Sequence, residues 1–257
     1  MRSDSDPRRR EASIPADLPV SRHVQQRCEP KHNTSFRIIR FFTHLQLAYL
    51  IRSKEHARTF GILYVFFQGA LALGIITAAA FLTKFPLLFP PLGPSAFILF
   101  STPMAPGAAP RNVILSHTIA CAAGLLALYG IGLLFPGAHL QDPAVMNWPR
   151  VWVIALAMGM TGALMMVSRT MHPPAAATAL IAALGHLGSP VRVIGLLAAV
   201  VLLVIQAYLF NRVVGGLPYP LWRSDPAVMR HYGCLAGIPD GATTFWQRMT
   251  ERVFLRR

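Results

Sequence analysis

The sequence predicts an all-α membrane protein: a helical bundle of four full spans plus two short double-proline helices, re-entrant or broken, arranged as an internal two-fold repeat. Three observations predict it. The 257 residues are 54% hydrophobic and only 13% charged, with a mean hydropathy of +0.46, whereas soluble domains carry about a quarter of their residues as charges. Between Phe60 and Trp222 the acids and bases other than histidine are Lys84, Arg111, Asp142, Arg150, Arg169, Arg192 and Arg212, so span-length apolar stretches run almost unbroken. Two stretches, FPPLGPSAF (89–97) and TMHPPAAATAL (170–180), place paired prolines between apolar segments.

Residues 1–34 are polar, proline-punctuated and arginine-rich, with too little apolar surface to offset the entropy of ordering, and are expected to be a disordered basic tail. In residues 35–58, Ile38, Phe42, Leu45 and Tyr49 recur at helical spacing opposite Arg37, Arg40, His44 and Lys54. That pattern predicts an amphipathic helix on the membrane surface. A transmembrane domain over 59–215 follows, with spans at 60–82, 112–135, 151–168 and 193–214, each near the roughly 20 residues a bilayer core requires. Trp148 and Trp152, and Tyr219 and Trp222, suit interfacial aromatic belts. Residues 216–257 read as a basic cytoplasmic tail whose last stretch, TTFWQRMTERVFLRR, fits a basic amphipathic helix on anionic lipid better than a nucleic-acid surface.

The formal charge of +14 gathers at the two ends, so the positive-inside rule places both termini in the cytoplasm, in a bacterial inner membrane. No short basic start and apolar core of a secretory signal precedes the first span. Cys28, Cys121 and Cys234 are scattered and odd in number, which argues against a disulfide framework or a structural zinc site. His117, His172 and His186 have no acid or cysteine partners at ligand spacing, so no metal and no cofactor is expected.

The halves 60–135 and 151–214 match. Pro90-Pro91-Leu92-Gly93-Pro94-Ser95-Ala96 aligns with Pro173-Pro174-Ala175-Ala176-Ala177-Thr178-Ala179, and Pro110-Arg111-Asn112-Val113-Ile114 with Pro190-Val191-Arg192-Val193-Ile194. Repeats with discontinuous helices at corresponding positions surround substrates in transporters. Proline lacks the amide hydrogen that would be unpaired in a first helical turn, so a double proline can start a helix within the membrane. Helix starts carry free amides and a positive dipole end. With Arg111 and Arg192 added, and no acid in either unit, the two halves predict a binding site for a small anion. Helix length favours re-entrant elements and parallel repeats; full crossings would make the repeats inverted.

The candidate substrate-binding residues are Ser95, Arg111, Asn112, His117, His172, Pro173, Pro174, Thr178 and Arg192. Ser95 and Thr178 sit in the first turns of the short helices and offer hydroxyl donors. His172 either caps its helix, contacts the anion or carries a proton; Asn112 and His117 either line the cavity or bond neighbouring helices. Arg111 and Arg192 either face the anion or snorkel to headgroups. Gly130, Gly132, Gly159, Gly162 and Ala175 to Ala177 are small residues that suit close helix packing.

MHPPAAATAL, PPLGPSA and PRNVILSH together resemble the signature segments of the HPP family of integral membrane proteins, over roughly residues 60–214. The resemblance implies a four-span protein and, from members similar to nitrite transporters, nitrite as the anion. The competing function is a membrane scaffold or sensor that recruits partners or anionic lipid through its basic tails; an oligomer is compatible with either. An enzyme is not expected, because no Ser/His/Asp triad, carboxylate pair or metal constellation appears in the spans.

Overall fold

The computed structural model describes residues 57–231 and residue 235, and these residues are helical with no strand among them. The predicted tail 1–34, nearly all of the predicted surface helix 35–58 and most of the tail beyond 231 lie outside the described residues.

The helices are α1 (Ala57–Thr83), α2 (Leu92–Ser101), α3 (Pro110–Leu134), α4 (Trp148–Ser168), α5 (Ala175–Ala183), α6 (Pro190–Leu209), which continues as a π turn over Phe210–Val214, and α7 (Pro226–His231). Among the described residues, α1, α3, α4 and α6 with its π turn are long and apolar enough to cross a membrane. Prolines open three of them: Pro110 and Pro190 stand at the first position of α3 and α6, and Pro149 lies in the first turn of α4. Asn147 caps α4 by accepting from the Arg150 amide at 3.0 Å. Phe66, Phe81, Leu82, Leu133 and Val167 point outward, as expected of a bundle whose solvent is hydrocarbon.

Long-range hydrogen bonds fix which helix ends lie together. Asn211 accepts from the Tyr64 hydroxyl at 2.9 Å and donates to the Leu99 carbonyl at 3.1 Å. The start of α1, the end of α2 and the end of α6 are thus neighbours. At this end too, Tyr219 donates to the Ala108 carbonyl and the Arg111 amide to the Trp222 carbonyl, while the Arg111 guanidinium reaches the Ser168 and Arg169 carbonyls at the close of α4. At the opposite end, Gly195 of α6 packs so tightly on Pro86 that a side chain there would collide with the Pro86 carbonyl. Arg150 of α4 there meets Ala183, the last residue of α5.

Each double-proline segment therefore enters at one end of the bundle and leaves at the other. Of the two forms left open, re-entrant or broken, this is the broken one; the preference for the re-entrant form counted helical residues alone. A helix rises about 1.5 Å per residue but an extended chain about 3.3 Å, and α2 and α5 are each preceded by a non-helical leg, 84–91 and 169–174. Leg and helix together cover the distance.

Both legs begin with the same backbone device. Lys84 and Arg169, directly after α1 and α4, take left-handed conformations at φ 57° and 53°, ending those helices as a C-terminal cap does. Each leg closes on the second proline of its pair, Pro91 (φ −60°, ψ −20°) and Pro174 (φ −56°, ψ −24°), from which the short helix continues.

The buried core forms two main sets. One joins α1, α2 and α6 through Ala72, Ile76, Leu99, Phe100, Val200 and Leu203. The other joins α3, α4 and α5 through Leu128, Val153, Ala157 and Ala183, with Ala120, Met165 and Ala179 beside it. Close approach of α3 to α5 rests on Gly124, where a Cβ would lie 2.5 Å from that of Ala182, and not on Gly130, Gly132, Gly159 or Gly162, which have no neighbour within 4 Å of such a Cβ. Leu217 and Tyr219, at the start of the stretch read as a basic tail, are buried in the first set.

Candidate functional site

Four polar side chains meet where the short helices begin. Ser95 of α2 and Thr178 of α5 each stand four residues beyond the second proline of their pair, a shared register that aims both hydroxyls at α3. His117 of α3 lies between them: its Nε2 is 3.0 Å from Ser95 Oγ and its Nδ1 is 2.7 Å from Thr178 Oγ1. His172, just ahead of Pro173, sets its Nε2 3.0 Å from the same Ser95 oxygen and donates from Nδ1 to the Gly107 carbonyl at 2.7 Å. The two imidazoles stand 5.3 Å apart, centroid to centroid. All four residues are fully buried, at 0% exposure.

The chamber expected between the helix starts is thus filled by the side chains themselves. Nor are the first amides free. Leu92 and Gly93 donate to the Phe89 and Pro90 carbonyls, and Ala175, Ala176 and Ala177 to those of His172, Pro173 and Pro174. These tight three-residue turns satisfy the donors that a simple helix start leaves open.

The arginines, expected either to face the anion or to snorkel to headgroups, bond backbone carbonyls. Arg111 is engaged with the Ser168 and Arg169 carbonyls at 3.1 Å each, and Arg192 with the His186 carbonyl at 3.1 Å. The ends of helices expose unpaired carbonyls and a negative dipole end, which a guanidinium satisfies. Asn112 donates to the Pro106 carbonyl at 2.7 Å and does not join the cluster. Pro174 is buried at the start of α5, while Pro173 is exposed. Arg192, with His186, Ile181, Pro86, Phe89 and Pro90, lines a cleft of about 370 Å³. A second cleft, about 570 Å³, lies over the end of α3 and the following loop and shares no residue with the cluster.

Three further residues shape the site: Ser116, which like Asn112 and His117 was expected either to line the cavity or to bond a neighbouring helix, and Gly107 and Arg150, which carried no expectation. Ser116, next to His117, donates to the Thr170 carbonyl and so holds the second leg against α3. The Gly107 carbonyl, which orients His172, belongs to a single 3-10 turn, Pro106–Ala108, that no side-chain pattern announces. Arg150, fully buried, donates to the carbonyls of Asp142, Val145 and Ala183; its one sequence signal is the Asn147 cap three residues earlier.

The family model described as HPP, transmembrane region, matches residues 54–220, the whole bundle together with the cluster and both double-proline segments. The chain belongs to the HPP family. Its HPP histidine is His172, the residue that ties Ser95 of the first half to Gly107. A curated relative, a transmembrane protein of Dictyostelium discoideum, is 27% identical over 161 residues, covering 61% of this chain and 52% of its own. This HPP chain thus spans about half the length of that relative. No solved structure matches it.

Proposed function

We propose that this HPP protein is an integral membrane carrier for a small inorganic anion, nitrite first among the candidates, and that the cluster of Ser95, His117, His172 and Thr178 is its translocation centre. One observation carries the reading: two hydroxyls from matched positions of two broken helices converge on one imidazole in the sealed interior of an apolar bundle. Polar groups at such depth are costly and mark transport pathways when they are retained. The matched caps and prolines, on segments that run in opposite directions through the bundle, support an inverted repeat, and substrates of such carriers bind where the repeats meet.

The anion in this reading is held by hydroxyl and imidazole N–H donors, not by helix amides or by Arg111. Arg192, exposed on the wall of its cleft, attracts the ion to one mouth. The cluster is the closed arrangement, and parting the short helices exchanges its internal bonds for bonds to the ion. We place the protein in a bacterial inner membrane with both termini cytoplasmic, on the strength of the arginines at its ends.

The test is uptake into proteoliposomes of nitrite, nitrate, formate and chloride. Wild-type protein should take up at least one of them faster than empty vesicles, nitrite foremost, and the Ser95→Ala, Thr178→Val double variant should lose that uptake while still purifying as a folded protein. No protein-dependent flux of any of the four overturns the reading.

A further inference from the structure

Resting on that carrier reading, we propose that the cluster is a proton relay of fixed polarity, joining the Arg192 cleft at one end of the bundle to Gly107 towards the other, so that protons accompany the anion.

The protons can be assigned one by one. A carbonyl only accepts, so the Nδ1 of His172 that faces Gly107 holds a hydrogen. The neutral ring then presents a bare lone pair at Nε2, and the donor hydrogen-bonded there is the Ser95 hydroxyl. That hydroxyl has one hydrogen. Given to His172, it leaves the oxygen as acceptor towards His117, whose Nε2 must therefore carry a hydrogen. The Nδ1 of His117 is then the bare position and accepts from Thr178. The result is one unbroken line, Thr178 to His117 to Ser95 to His172 to the Gly107 carbonyl, with every donor pointing the same way. The Pro91 carbonyl, 3.0 Å from Ser95 Oγ, competes for that hydrogen, but it also accepts from the Ser95 amide, whereas His172 Nε2 has no other donor among the described residues.

A proton reaching the Thr178 oxygen pushes the hydroxyl hydrogen onto His117 Nδ1. The His117 Nε2 hydrogen moves to Ser95, and the Ser95 hydrogen moves to His172 Nε2. One proton has entered, every oxygen is neutral again, and His172 is an imidazolium. Loss of its Nδ1 hydrogen to water beside the half-exposed Gly107 releases one proton, and rotation of the hydroxyls and rings restores the starting line. The entry side is set by the fold: Ile181, on the wall of the Arg192 cleft, is one helical turn beyond Thr178 on α5, and Pro90, on the same wall, adjoins Pro91.

Among the described residues no carboxylate or guanidinium hydrogen-bonds the cluster. The cations on the helices around it, Arg111, Arg150 and Arg192, are engaged with carbonyls. Cys121, one turn from His117 on α3, packs with Ala182, Leu187 and Leu196. The charge of a travelling proton is thus met by ring nitrogens and hydroxyls alone.

The experiment uses the full chain in vesicles containing a trapped pH dye, with potassium and an ionophore clamping the voltage, after an external acid step with and without nitrite. Wild-type protein should speed internal acidification in at least one condition. Ser95→Ala should slow it roughly tenfold, the rate equivalent of one lost hydrogen bond, while Ser95→Thr retains it and Thr118→Val, which removes an exposed hydroxyl of α3, the helix that carries His117, leaves it unchanged. Absence of protein-dependent proton flux in both conditions overturns the relay. Nitrite counterflow at equal pH, measured on the same vesicles, judges the carrier reading separately. Independently of any variant, nitrogen NMR of histidine-labelled protein should find the hydrogen on Nδ1 of His172 and on Nε2 of His117; the same tautomer on both rings overturns the assignment.

Discussion

Arg150, in the first turn of α4, donates to the carbonyl oxygen of Ala183, the last residue of α5, at 2.7 Å. The same guanidinium also holds Asp142 and Val145, so one buried cation gathers the central loop and the end of a broken helix. Arg150→Met leaves the buried Ala183 carbonyl unpaired and should cost about 1–3 kcal/mol, the range for one unsatisfied buried group. Thermal unfolding in detergent reads this directly, and an unchanged midpoint would show that the carbonyl finds another partner.

The approach of α3 to α5 makes a paired prediction. Gly124→Ala places a methyl 2.7 Å from the Ala179 carbonyl and closer still to Ala182, and should destabilise by about 1–3 kcal/mol through overpacking. Gly130→Ala, on the same helix with open space around it, should be neutral or gain up to about 1 kcal/mol from helix propensity. Equal unfolding midpoints for the two would contradict the close contact.

Tyr219 donates to the Ala108 carbonyl at 2.6 Å from a fully buried position. Tyr219→Phe should cost about 1–2 kcal/mol by orphaning that carbonyl. Burial raises the phenol's pKa well above its ordinary value. Its contribution is therefore fully present below the free tyrosine value near ~10 and eroded as the pH climbs beyond it, because the unfolded phenol ionises first. Unfolding followed from neutral to alkaline pH should show the gap between wild type and Tyr219→Phe narrowing at the alkaline end.

Arg111 and Arg192 lie in the two matched segments, one position out of register, and should separate on mutation. Arg111→Gln removes bonds to the Ser168 and Arg169 carbonyls and should lower the unfolding midpoint, by about 1 kcal/mol. Arg192→Gln should leave the midpoint in place and reduce nitrite uptake, most at low ionic strength, where attraction to the cleft is least screened. Uptake unchanged in Arg192→Gln would remove that cleft from the pathway.

Much of this was legible beforehand, for identifiable reasons. The spans announced themselves because hydrocarbon demands long apolar runs, and their true starts at Trp148, Pro110 and Pro190 lie only two or three residues ahead of the predicted ones. The double prolines revealed the short helices, and with them Ser95, His172 and Thr178. His117 was visible as a polar residue within a span. What the letters did not carry was direction: a non-helical leg and a helix read alike as apolar residues, so re-entrant and fully crossing forms of 84–101 both stayed open and helix length alone favoured the first. The carbonyl partners of the arginines were not legible for a related reason. The arginines' charge is plain in the sequence, whereas the carbonyls they cap are backbone groups present at every residue, and only the fold shows which of them lack partners.

The packing sets cut across the two halves of the chain. α3 belongs to the first half in sequence but packs with α4 and α5, while α6 of the second half packs with α1 and α2. Each triplet has thus borrowed its third member from the other half, as two hands do when the fingers are laced. Rigid bodies drawn along these seams would put Ser95 in one and His117, His172 and Thr178 in the other, so a rocking motion of the triplets would make and break the serine's contacts with both imidazoles, and the conducting line would open or close with the stroke itself.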